Sequence, residues 1–251
     1  MKVKAALQTG GGAGFARYRA LVYGPASVGH VLLAEALTGL LGGMPGAAGY
    51  FLRSRLYRGL FARAGRGLLI GRHVTFRHFR KIRLGDRVVI DDHAVVDAKG
   101  TDNRGIEVGD GVFIGRNTIV YCKNGDIRLE AGVNLSSNCT VFSSNDLTVG
   151  TGTVVGGYSY LLSGGEYDPR DRTPFVDQSG MRTRGPLRIG ADSWLGARVT
   201  VLDGASIGDR CVIGAGAVVT RPIPSRRVAV GVPARVVKSL ETSEHEDGGP
   251  G

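Results

Sequence analysis

The sequence predicts an all-β fold, a three-sided parallel β-helix. Three observations carry that expectation: an aliphatic ladder of period six, charged residues where simple strand alternation needs inward side chains, and an excess of glycine. The ladder is clearest near the C-terminus, where Ile189, Leu195, Val201, Ile207, Ile213 and Val219 recur at steps of six. A helical period of 3.6 would smear these side chains around a cylinder. A period of 2 would turn Asp192, Arg198 or Arg210 inward. A chain that turns a corner every six residues places one aliphatic inward per side, and three sides close one coil. Compact residues follow the ladder four places on, at Ser193, Val199, Ala205, Cys211 and Ala217, and Gly190, Gly196, Gly208 and Gly214 stand directly after it.

The same beat runs back through Leu84, Ile90 and Val96, then Val108, Ile114 and Val120, then Ile127, Val133 and Cys139, then Val149, Val155 and Leu161. With the sets opening at Ile189 and Ile207, about six coils are expected, and Ile70 and Phe76 add a partial one. Slips of frame mark loops at 99–105, 143–146 and 163–188. The last is the longest, and a long loop on a rigid scaffold is where function concentrates. The β-helix domain spans residues 66–238, long enough for stacked coils to share one core.

The 41 Gly among 251 residues far exceed the usual ~7%. Corners requiring positive φ are the expected reason, since Gly adopts that conformation without a Cβ clash. Cys122, Cys139 and Cys211 have no ligand-like spacing; Cys211 falls on a compact inward position and is expected to be a buried thiol. The absence of a disulfide framework suits a reducing cytoplasm.

Residues 1–65 lack the six-residue beat and are expected to form a helical, basic extension. Pro45 is placed to open a helix gathering Phe51, Leu52, Leu56, Tyr57 and Leu60 on one side, with Arg53, Arg55, Arg58 and Arg63 supplying charge. The apolar stretch 31–41 contains Glu35 and is too short to span a bilayer. Two roles stay open, and both can hold: a cap on the first coil, or peripheral contact of residues 26–64 with an anionic membrane. The tail 239–251 is acidic and Gly-rich and is expected to be disordered. The net charge of +10 points to a polyanionic small ligand or an anionic surface. Nucleic acid is not expected, because no recognition helix or basic run interleaved with aromatics is visible.

From Gly190 on, the chain resembles the hexapeptide-repeat acyltransferases of the galactoside and maltose O-acetyltransferase type. The residues carrying the match are Trp194, Leu195 and Gly196, then 213–221 (IGAGAVVTR), 222–224 (PIP) and 230–237 (VGVPARVV). The resemblance implies a left-handed parallel β-helix of about six to seven coils, a homotrimer, and acetyl-CoA or another short acyl-CoA as co-substrate, with no metal. It places Ala197 and Ala215 at backbone contacts to the pantetheine arm, and Thr220, Arg221 and Arg235 at the phosphates. Trp194, the only Trp, directly precedes an inward Leu195 and so must point outward, against a neighbouring protomer or as a wall of the ligand pocket.

The same resemblance implies a histidine general base and a nearby asparagine. An ungapped alignment puts Asn138 on the asparagine and Glu166 on the histidine, and no histidine occurs between His93 and His245. Three alternatives follow. Glu166 is the base, its pKa raised by burial or by Asp168; or His78 or His93 serves from elsewhere; or the chain binds without catalysis. Tyr167 is placed to donate to the thioester oxygen or to stack on a sugar. Asp91, Asp92, Asp97 and Lys99 form a polar cluster that suits a sugar or a corner salt bridge equally. Zinc chemistry is not expected, since the three histidines it needs on the central coils are missing. The expected function is transfer of an acetyl or short acyl group to a sugar hydroxyl in surface polysaccharide or glycolipid synthesis, in the cytoplasm or at the inner membrane face. A catalytically lapsed β-helix binding or scaffold subunit is the alternative.

Overall fold

The computed structural model describes residues 14–165, 167–178 and 182–240. Helices α1 (Gly14–Val22), α2 (Val28–Leu41) and α3 (Gly46–Leu56) come first. From Arg63 on, short strands fall into three sheets: seven in sheet A, from Arg63–Ala64 to Ser206–Ile207; nine in sheet B, from Leu69–Ile70 to Arg235–Ser239; and seven in sheet C, from Thr75–Arg77 to Val218–Val219. The chain visits A, B and C in turn, and each strand pairs in parallel with its counterpart one coil away. Only the last strand runs antiparallel, against Arg227–Val230. The molecule is a three-sided parallel solenoid of about seven coils.

The ladder stacks. Successive partners are Val108, Leu129, Val149, Ile189 and Ile207 in sheet A. In sheet B they are Ile90, Ile114, Leu135, Val155, Leu195 and Ile213. In sheet C they are Val96, Val120, Val141, Leu161, Val201 and Val219. All are buried. Their burial is the main favourable term holding so many two-residue strands together.

Two details differ from the sequence expectation. The third coil is led by Leu129, Leu135 and Val141, whereas Ile127 pairs with Ile106, two residues ahead of the ladder. Positions i and i−2 share a strand face, so Ile127, Val133 and Cys139 are buried without being the ladder. The loop expected at 143–146 is instead a tight corner: one strand ends at Ser143, the next begins at Asp146, and Ser143 Oγ donates to the Asn145 carbonyl at 2.8 Å.

Glycine works as expected only in part: Gly67, Gly111, Gly132 and Gly152 take positive φ at A–B corners. Left-handed backbone recurs at the A–B and B–C corners, yet His73, Arg87, His93, Asn117, Asn138, Tyr158, Asp192, Arg198, Arg210 and Arg226 adopt it too. The glycines directly after the ladder are required by close coil stacking instead. A Cβ on Gly156 would lie 2.6 Å from the backbone nitrogen of Ala197, and one on Gly196 would lie 2.7 Å from that of Ala215. Neither backbone can yield without separating two coils. Gly156→Ala is therefore expected to cost about 2 kcal/mol, read from the urea midpoint, with Gly59→Ala, where an added Cβ meets nothing within 4 Å, costing less.

The helices seal the first coil. In the body of the solenoid a corner N–H donates one coil back, as His93 N–H does to the Arg72 carbonyl and Asn138 N–H to that of Arg116. At the first coil, His73 N–H donates to the Gly42 carbonyl and His78 N–H to that of Val22, so helix ends replace the missing coil. Arg53 of α3 is buried and reaches the carbonyls of Leu41, Met44 and Ile70 at 2.9, 2.7 and 2.8 Å. This corrects the expected helix face: Arg53 turns inward, while Phe51 and Leu56 are exposed. Phe61, Phe76 and Phe79 with Tyr23 fill the junction. Glu35, the only acid of α2, is held by the hydroxyls of Tyr18 and Tyr23, which ties α1 to α2. The acidic tail lies, from residue 241 on, outside the described residues.

All three cysteines are buried and free. Burial, then the carboxylates of Asp97 and Asp126, pushes the Cys122 thiol up to about 12, and burial raises Cys139 as well. Since the thiolate is the nucleophile, native protein at pH 8 is expected to release no colour from an aromatic disulfide reagent, while unfolded protein reacts at all three sites. An unfolded Cys122 ionises near 9 and the folded one near 12, so this contribution to stability is complete below pH 9 and is lost as pH rises through that window.

Candidate functional site

The predicted site residues occupy two corners and one face. Asn138 stands at the B–C corner of the third coil in left-handed backbone, and its side-chain oxygen accepts from Asn117 Nδ2 at 3.4 Å. It belongs to a column with one member per coil: His73 stacks on His93 at 5.1 Å, then come Asn117, Asn138 and Tyr158, and the Arg198 guanidinium lies 5.8 Å from the Tyr158 ring. Ala197 and Ala215 sit beside this column, both exposed, and Gly216 N–H donates to the Ala197 carbonyl at 2.9 Å. With no side chain beyond Cβ, the two leave coil backbone open to a ligand.

Every long insertion leaves from the C–A corner: residues 100–105 in one coil and 164–186 in another, where neighbouring coils spend only 124–125 and 144–145. The longer loop is anchored by Asp203, which is buried and accepts from the N–H groups of Gly164 and Arg184 and from the Thr183 hydroxyl. One carboxylate thus clamps both loop ends. Sequence reasoning missed Asp203; the signal was an acid two residues after ladder Val201, a place that other coils fill with small residues, Ala98, Cys122, Ser143 and Ser163. Asp168 braces the loop from within, with Arg182 Nη2 at 2.6 Å from its carboxylate and Gln178 bonded to its backbone on both sides at 3.0 Å. Tyr167 is exposed and its ring lies 5.7 Å from that of Phe175. Glu166 lies outside the described residues.

Trp194 points outward from sheet B and is 59% exposed, between Val154 and Val212 in register. Thr220 and Arg221 are exposed just after the last sheet C strand, and Arg235 is exposed on the terminal antiparallel strand. Within one chain, sheet C separates Asn138, Ala197 and Ala215 on one corner from Tyr167, Asp168, Thr220 and Arg221 on the other.

The histidine alternatives separate clearly. His93 is exposed in the corner column. His78 is buried, with Nδ1 2.9 Å from Asp97 Oδ1. The expected polar cluster is split among corner partners: Asp91 pairs with Arg116 at 3.7 Å, Asp92 with Arg72 at 3.2 Å and Asp97 with Arg77 at 4.0 Å, Asp97 also bonding His78 Nδ1. Among the described residues no group of three His, Cys, Asp or Glu is placed to hold a metal ion.

Comparison with known proteins agrees with this architecture. The family described as the hexapeptide repeat of succinyl-transferase matches residues 186–221. The chain is 35% identical over 141 residues to a probable acetyltransferase, Rv3034c, of Mycobacterium tuberculosis, covering 55% of this chain and 45% of that protein. It is 47% identical over 55 residues to the galactoside O-acetyltransferase of Escherichia coli, covering 22% of this chain and 27% of that one. The chain thus spans less than half the length of these relatives. Among solved structures, a variant of AntD, an N-acyltransferase from Bacillus cereus crystallised with dTDP and coenzyme A, aligns over 76% of this chain and 90% of its own with a TM-score of 0.52 at 18% identity. That likeness is one of fold. The chain carries hexapeptide repeats on a three-sided parallel β-helix, and it is similar to acetyltransferases that include the galactoside O-acetyltransferase.

Proposed function

We propose that this chain is a coenzyme A-dependent O-acyltransferase that moves an acetyl or short acyl group onto a sugar hydroxyl in surface polysaccharide or glycolipid synthesis. The observation that carries the reading is the pair Ala197 and Ala215, exposed on adjacent coils of one corner inside the matched repeat, with Thr220 and Arg221 exposed at the next corner. The alanines leave the backbone open to the pantetheine arm, and Arg221 and Arg235 supply forks for phosphate oxygens. In the reaction the acceptor oxygen attacks the thioester carbonyl as its proton passes to a base. The C–S bond then breaks and the sulfur leaves as thiolate. Glu166 is the proposed base, with Asn138 and Tyr167 as polar partners of the reacting groups and Asp168 positioning the loop.

Two faces support a homotrimer. The outward row of sheet A is Arg63, Arg83, Glu107, Arg128, Thr148 and Arg188, whereas that of sheet B is Leu69, Val89, Phe113, Asn134, Val154, Trp194 and Val212. Copies covering the apolar face would bring the two corners together. Peripheral contact with the inner membrane face is supported by Val28, Leu32, Leu33 and Leu40, all exposed on α2, and by the exposed cations Arg55 and Arg58. Among the described residues no helix is long and apolar enough to cross a membrane.

The test is calorimetric titration of acetyl-CoA, followed by thiol release in the presence of a panel of sugars; the buried cysteines keep that assay silent in the protein itself. Saturable binding with acceptor-dependent release is expected. Binding without release for any acceptor marks a binding subunit, and no binding removes the proposal.

A further inference from the structure

A cavity of about 600 Å³ opens between α1 and the C–A corner of the first coils, remote from the C-terminal repeat. Its wall carries Arg17, Arg19, Lys99 and Lys123, and no carboxylate lines it. Two features set these cations apart from a solvated basic patch. Lys99 and Lys123 are direct register partners on adjacent strands, where like charges repel unless an anion lies between them. Arg17 has a buried Nη2 without a hydrogen-bond partner, a cost that an acceptor oxygen would relieve. Asp97 is engaged by His78 at 2.9 Å and lies 4.0 Å from Arg77. The carboxylate fixes the proton of His78 on Nδ1, leaving Nε2 on the ring edge that faces Gly24 at the cavity wall. The α1 side of the wall is largely apolar, with Ala16, Ala20, Leu21 and Pro25, while Tyr18, Thr101 and Asn124 add polar groups.

We infer that this cavity binds a phosphate ester carrying an apolar substituent, the phosphate held by Arg17, Arg19, Lys99 and Lys123 and the apolar group lying against α1. Guanidinium forks and paired ammonium groups suit phosphate oxygens, and the apolar wall separates an alkyl phosphate from a free one. The inference does not depend on acyl transfer, and its test contains no acyl-CoA.

Full-length protein is titrated calorimetrically with inorganic phosphate, glucose 1-phosphate and monomeric decyl phosphate. Decyl phosphate is expected to saturate one site at least tenfold more tightly than glucose 1-phosphate, with inorganic phosphate weakest. Arg17→Gln and Lys123→Gln should each weaken decyl phosphate at least tenfold with unchanged thermal midpoints, whereas Arg188→Gln, the same loss of charge on sheet A, should not. The assignment is overturned if decyl phosphate does not saturate, if glucose 1-phosphate matches it, or if Arg188→Gln weakens binding as much as Arg17→Gln.

Discussion

Arg53→Ala is expected to detach the helical extension from the solenoid at a cost of about 3 kcal/mol, because three carbonyls lose a charged donor at once. The side chain is buried at the junction, so water does not readily replace it. Urea unfolding followed by far-ultraviolet dichroism should show an early transition carrying the helical signal. Backbone hydrogen exchange should rise across residues 28–56 while Ile114, Leu135 and Val155 stay protected. Arg53→Lys keeps the charge but not the planar fork, and it should fall between the two. A loss under 1 kcal/mol for Arg53→Ala would show that the aromatic junction of Phe61, Phe76 and Phe79 holds the cap unaided.

Glu166→Gln is expected to lower the turnover of acyl transfer by about 10²- to 10⁴-fold, the range contributed by a positioned general base. Coenzyme A affinity should hold, since Ala197 and Ala215, the proposed contacts to the pantetheine arm, stand across sheet C from the corner that the long loop leaves. The acid limb of the pH–rate profile should disappear with the carboxylate. Unaltered turnover in the variant would move the base to another group, and Tyr167→Phe with His78→Gln would then find it. A parallel fall in affinity and turnover would mean that the residue supports the loop, as Asp168 does through Arg182 and Gln178.

Much of the fold was legible because a six-residue repeat is a strong constraint: Ile189, Leu195 and Val201 and their successors could stack in one way only. The frame failed where a corner gained or lost residues, as before Leu129, because i and i−2 on a strand are both inward and sequence alone does not rank Ile127 below Leu129. The site was less legible. Asn138 and Tyr167 are close in chain order but leave opposite edges of sheet C, a separation set by coil winding and not by local pattern. Arg53 looked like a surface charge, and only the fold shows that it stands in for a missing coil. Asp203 stood unmarked because its partners Gly164 and Arg184 come together only when the long loop closes.

Stacked coils also act as a ruler. Strands in a sheet lie ~4.8 Å apart, so the five steps of sheet B from Ile90 to Ile213 set the basic cavity and the terminal alanine corner apart by ~24 Å along the axis. Excising one whole coil would shorten that span by a single increment while leaving both ends intact. The length of this gauge is written in the number of repeats, and selection can retune it without redesigning either end.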